Sequence, residues 1–150
     1  MFGLEGSLTI RVLDNNTGEL KRTLGPFKNK VVSSAGYGRN LLLRWMAGDL
    51  TYPIVIDSAA VGSNATAPAD ADTGLNTVVH SGLTITNTGV SNNVLTIDVF
   101  ATDAELTNVT YREFGLFATL RLISRVLISP VYTKASGEDT LFSYTLTMTG

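Results

Sequence analysis

The chain contains no cysteine. That excludes disulfide staples, thiolate-ligated zinc and a thiol nucleophile. Histidine occurs once, at His80, so imidazole chemistry rests on a single ring. Charge is scarce: Asp, Glu, Lys and Arg make up 16% of the residues, against about 25% in an average globular domain. Thr, Ser and Asn take their place, residues that favour strands and turns. The deficit has two readings: an ordinary β-domain with a weakly charged surface, or a surface much of which neighbours cover, where charge is costly. The net charge is −2, and Lys28 and Lys30 form the nearest thing to a basic patch. A nucleic-acid partner would require a stripe of phosphate-neutralising cations, so none is expected. No apolar run approaches the roughly 18 residues of a membrane-spanning helix, so no membrane partner is expected. Met1 to Gly6 has neither a basic nor a long apolar stretch, so no signal peptide is expected.

What is present reads as strands. Hydrophobic residues are 44% of a 150-residue chain, enough for one domain with its own core. Ser7 to Leu13 alternates apolar and polar residues, the period of a half-buried strand. Asp14-Asn15-Asn16-Thr17-Gly18 is a turn, and Glu19 to Leu24 returns as a short charged strand that Gly25-Pro26 should break. Leu41, Leu42, Trp45 and Met46 form an apolar stripe at helical spacing, with Ser33 or Ser34 as cap and Gly48 as stop. Gly36 and Gly38 move the expected start towards Arg39. Trp45, the only Trp, reads as core. Ile54 to Gly62 reads as a strand covered on both faces, and Ser63 to Gly74 as a loop of small residues. Val78-Val79, Leu83 to Thr86 and Val94 to Phe100 continue the sheet. Tyr111 to Phe117, Leu120 to Ile128 and Thr140 to Thr149 close it, the last run reaching almost to the terminus. These elements predict a mainly β fold: a single-domain β-sandwich, jelly roll or β-barrel with one short α-helix around residues 39–47. Residues 1–6 are predicted to be an arm, and 7–150 the β-rich domain. Phe2 and Leu4 are the arm's apolar side chains and candidate contacts to a neighbouring subunit, with a frayed terminus as the alternative.

The residues that could carry chemistry do not assemble into a motif. His80 has no Gly-x-Ser-x-Gly elbow to serve, and a lone His is usually structural. Asp70-Ala71-Asp72-Thr73-Gly74 resembles the start of a calcium loop, but the twelfth position, Ser81, supplies no bidentate carboxylate. Glu113, Glu105, Asp98 and Asp57 are the acids from which a hydrolase pair would come. Glu113, between Arg112 and Phe114, most simply pairs with a cation. No enzymatic activity, catalytic residue, metal ligand or cofactor is expected. A carbohydrate-binding sandwich would present aromatic platforms, whereas most aromatics here fall in strand-like or helical runs.

Two stretches carry a family resemblance. The first is Val61-Gly62, Thr66-Ala67-Pro68 and Asp72-Thr73-Gly74-Leu75. The second is Glu113-Phe114-Gly115-Leu116-Phe117 with Arg125, Lys134, Gly137-Glu138 and the final run Phe142 to Thr149. Together with the helix from Asn40 to Gly48, they make the chain from about Val31 onward similar to tailed-phage virion structural proteins, resembling small capsid decoration proteins, those of long-tailed phages among them. Two loops depart from that pattern. Gly62-Ser63-Asn64 stands where many relatives have Gly-Thr-Gly, and Ala118-Thr119 stands where many have a small-residue turn. The resemblance implies a non-enzymatic cement protein on the outer surface of the virion head, made in the host cytoplasm. It implies a homotrimer as the self-partner and the major capsid protein as the other. The alternative it allows is a tail, fibre or baseplate module for host recognition. Thr66 and Pro68, in the small-residue loop, join Phe2 and Leu4 as candidate contacts.

Overall fold

The computed structural model describes residues 3–150. Nine strands carry the fold: β1 (Gly3–Asp14), β2 (Leu20–Val31), β3 (Ser58–Gly62), β4 (Val78–Thr84), β5 (Asn87–Ser91), β6 (Val94–Ala101), β7 (Thr110–Ala118), β8 (Arg121–Thr133) and β9 (Glu138–Thr149). One helix, α1 (Arg39–Met46), lies between β2 and β3. The strands are ordered β4-β3-β7-β8-β2-β1-β9-β6-β5, every neighbouring pair antiparallel. The expected mainly β, sandwich-like or barrel-like domain is what forms.

The sheet curls because β2 changes partners along its length. Ser7 to Leu13 of β1 pairs with Leu20 to Lys28, whereas Asn29 to Val31 pairs with Val126 to Ser124 of β8. A strand that serves two layers in this way forms the corner of a sandwich. Gly25-Pro26 was expected to end this strand, but β2 passes through it. The register shifts between Leu8 and Ile10, so Pro26, which has no N–H to give, sits at an irregularity rather than in the ladder. Gly25 has φ +95°, and a Cβ there would lie 2.7 Å from the Leu8 carbonyl oxygen.

The core lies between the two layers. Leu8, Ile10 and Val12 of β1, Phe142 and Tyr144 of β9, and Ile97 and Val99 of β6 meet Phe114 and Leu116 of β7 and Val126 and Ile128 of β8. The Phe114 and Phe142 rings stack across the layers at 5.0 Å between centroids. Each such fully buried side chain contributes roughly 1.5–3 kcal/mol. One polar network is enclosed. The Tyr144 hydroxyl donates to Ser124 Oγ at 2.8 Å, Asn29 Nδ2 donates to Ser124 Oγ at 2.7 Å, and Asn29 also meets the Tyr144 hydroxyl. Burial pushes the Tyr144 phenol well above its ordinary range.

Three local readings change. Strand β3 is shorter than expected, beginning at Ser58, although Ala59 to Gly62 is buried as predicted. The helix caps on Gly38 rather than on Ser33 or Ser34. It buries Leu41 alone, and Trp45 is 40% exposed rather than core. The indole N–H of Trp45 donates to the Tyr52 carbonyl at 2.8 Å, so its role is to tie the helix to the following segment. Residues 3–6 of the expected arm are the first residues of β1, with Gly3, Leu4, Glu5 and Gly6 opposite Thr149, Met148, Thr147 and Leu146. Met1 and Phe2 lie outside the described residues.

Candidate functional site

Alternation along β7 and β8 puts Phe114, Leu116 and Val126 towards the core, and hence Glu113 and Arg125 on the opposite face. Both charged residues are nonetheless fully buried. The cover is the segment from Ser63 to Thr77, which folds back over the outside of that layer. Glu113 is its anchor. Its carboxylate accepts backbone N–H groups from Asn64 at 3.1 Å, Asn76 at 2.9 Å and Thr77 at 2.9 Å. Arg125 Nε donates to the same carboxylate at 3.1 Å, and its Nη2 stands 3.0 Å away as a further ion contact. Arg125 Nη1 reaches Asp72 in the loop at 3.5 Å. A buried carboxylate without such partners would be unstable, and the three amides would otherwise lack an acceptor.

Two close approaches complete the fit. A Cβ on Gly62 would lie 2.2 Å from the Thr77 carbonyl oxygen and 2.6 Å from Glu113 Oε2, so only glycine fits. Leu75 Cδ2 would lie 2.9 Å from a Cβ on Gly115. Farther along, the Ser33 N–H donates to the Asp70 carbonyl at 2.9 Å, and the Asp70 carboxylate pairs with Arg39 at 3.2 Å and Lys30 at 3.6 Å. The loop is therefore held at both ends and in the middle, without regular secondary structure. Held this way, it presents Ala65, Thr66, Ala67 and Ala69 to solvent, with Pro68 half-buried.

Helix α1 joins this loop to a second feature. Its Arg39 holds Asp70, while its Leu42 lines an open apolar groove of about 270 Å³ with Leu4, Val31, Val90, Ile123 and Met148. Of the four candidate contact residues, Thr66 and Pro68 lie on the presented loop, Leu4 lies in the groove, and Phe2 falls outside the described residues. Of the three described candidates, Leu4 therefore belongs to the groove, and Thr66 and Pro68 to the loop.

A second buried carboxylate, Glu138, holds the β8–β9 turn. It accepts from Arg22 Nη1 at 2.5 Å, pairs with Lys21 at 3.0 Å and takes the Ala135 N–H at 2.8 Å. The Arg22 hydrogen bond, helped by the Ala135 amide and Lys21, holds its pKa down to about 2 against the opposing effect of burial. Beside it the buried Lys134 donates to Asp103 at 2.6 Å and Asn108 at 2.8 Å. That ammonium lowers the Asp103 pKa.

The other three acids considered for a hydrolase pair each accept a hydrogen bond from a neighbouring group. Asp57 takes the Thr119 N–H at 3.0 Å, Asp98 takes the Ser143 hydroxyl at 2.8 Å, and Glu105 takes the Thr102 N–H at 3.3 Å. His80 Nε2 accepts the Thr107 N–H at 3.1 Å and sits 2.8 Å from the Thr107 hydroxyl. Nε2 is thereby engaged in holding the Thr107 loop. Among the described residues no group of three or more His, Asp or Glu side chains is placed to hold a metal. The pairing of Glu113 with a cation was legible; that three loop amides also end on it was not. The one available signal was a Glu and an Arg beside the apolar runs Phe114 to Phe117 and Val126 to Ile128.

Comparison of the chain with protein-family models, curated proteins and solved structures finds no match.

Proposed function

We propose that this chain is a non-enzymatic structural protein of a tailed-phage virion: a decoration protein that binds the outside of the assembled head as an oligomer, a trimer in this reading, and stabilises the shell. The observation that carries the proposal is a convergence. The facing residues of Val61–Leu75 and of Glu113–Arg125 lie about 40 to 53 positions apart in sequence, yet they build one substructure. Val61-Gly62 closes against Glu113, Asp72 meets Arg125, and Leu75 packs on Gly115. Lys134 and Glu138 likewise build the second anchored turn. A motif whose members hold a loop in place is what a binding part requires, and none of its charged members is left free to act on a substrate.

The physical basis is mass action. A protein that binds the assembled shell and not free capsid subunits adds its binding free energy to the stability of the shell. Oligomerisation multiplies weak contacts through high effective concentration. A loop held rigid beforehand loses little entropy on binding. The test is mass spectrometry of purified particles followed by antibody-gold labelling with serum against this chain. Regular label over the head is the expected result. Label confined to the tail would replace cement with host contact or tail assembly, and absence of the chain from particles would overturn the virion reading.

A further inference from the structure

Strand β5 lies at one end of the strand order and, among the described residues, pairs only with β6. All five of its residues, Asn87-Thr88-Gly89-Val90-Ser91, are exposed. It carries no charge, no proline and no bulge, the devices that keep an open edge from pairing with another chain. Its register shows which main-chain groups are free. Ser91 and Val94 face each other across the two-residue turn Asn92-Asn93, and the residues that close such a turn exchange both hydrogen bonds. Alternation then directs the N–H and C=O of Asn87, Gly89 and Ser91 towards β6, and those of Thr88 and Val90 outward. The Val90 side chain lines the apolar groove yet is 76% exposed.

We propose that this edge is a contact between two copies of the chain, paired antiparallel about a two-fold axis at Gly89. The register is self-consistent. A two-fold at Gly89 sets Thr88 of one copy opposite Val90 of the other, and these are the two residues whose main-chain groups point outward. Each pair exchanges two hydrogen bonds, and the axis generates the second pair. Gly89 meets Gly89 at the axis, where close approach needs no side chain. Thr88 and Val90 share a face, so each Val90 packs beside the partner's Thr88 at the rim of the groove. No charge is brought into the contact. The inference is independent of the virion reading. In a trimer the edge contact would join one trimer to another, giving six copies.

The test is the mass of the purified full chain in solution across a dilution series, by light scattering and sedimentation, together with amide exchange. Two or six copies are expected, with the Thr88 and Val90 amides protected when concentrated and unprotected when dilute. Val90→Lys and Thr88→Pro should abolish the two-fold association while the circular dichroism spectrum is kept. Leu43→Lys, on the exposed side of α1, should leave it intact. A monomer at every concentration, a trimer that goes no further, or Thr88 and Val90 exchange that ignores concentration would overturn the proposal. So would association that survives both edge variants or is lost with Leu43→Lys.

Discussion

Glu113 and Glu138 are both buried carboxylates that take backbone N–H groups from a neighbouring turn, but their cations differ. Arg125, the partner of Glu113, is fully buried, whereas Lys21 and Arg22, the partners of Glu138, are 41% and 39% exposed. The first arrangement holds a long loop through three amides; the second holds a short turn through one. Burial of both partners makes an ion pair costly to break, because the survivor is left charged and dry. Exposure of one partner lets water and salt share the work. The Glu113 anchor is therefore an all-or-none element of the fold, and the Glu138 anchor is one that pH can tune.

The largest effect should come from breaking the dry pair. Glu113→Gln is expected to cost about 3–5 kcal/mol in urea unfolding, because the buried Arg125 keeps only its 3.5 Å contact to Asp72. Replacing both partners with apolar residues, Glu113→Leu with Arg125→Met, separates the pair from its second task. An isolated buried pair is often replaceable without loss. Here the double variant should stay destabilised by at least about 1–3 kcal/mol, since the loop amides have lost their acceptor. Recovery to wild-type stability would mean that the amides do not depend on Glu113.

The second effect is the pH response. The folded pKa of Glu138 is about 2, below its unfolded value, so the unfolded chain binds the proton first as pH falls. Its contribution is present above roughly pH 4.5 and is lost as pH drops towards 2. The melting temperature should fall through that window, and Glu138→Gln should flatten this part of the profile. At neutral pH that variant should cost about 1–2 kcal/mol, less than Glu113→Gln. A fall unaltered by Glu138→Gln would assign the acid response to other carboxylates. At the alkaline end, burial pushes the Tyr111 phenol up to about 12. Its stabilising contribution is full below roughly pH 10 and is lost as pH rises through 12.

The smallest effects lie where water already reaches. Lys21→Ala should change stability by less than about 0.5 kcal/mol, because Arg22 remains on Glu138. Thr66→Val, on the presented loop, should likewise stay within about 0.5 kcal/mol. If the loop face meets a shell, the same substitution would show instead in particle binding, so unchanged binding would move the contact elsewhere.

How much of this was legible in the sequence follows from what local pattern can report. The alternation in Ser7 to Leu13 and Val94 to Phe100 marked strands, and the glycines placed the helix start near Arg39, because both signals are local. Gly25-Pro26 misled because a bulge against β1 absorbs the break, which only the partner strand reveals. Trp45 misled because a helical stripe shows which residues share a face, not whether anything covers that face. The site was legible only in pieces. Glu113 and Arg125 stood out beside apolar runs, but their burial depends on a loop about 40 to 50 residues upstream folding over them, and no periodicity encodes that.

The most direct test of the anchored loop is amide hydrogen exchange, read residue by residue, in the wild-type chain and in Glu113→Gln under conditions where both remain folded. The account predicts that Asn64, Asn76 and Thr77 are protected in the wild type and lose protection together in the variant, while core strands β1 and β9 keep theirs. Exchange of those three amides at the rate of open backbone in the wild type would contradict it.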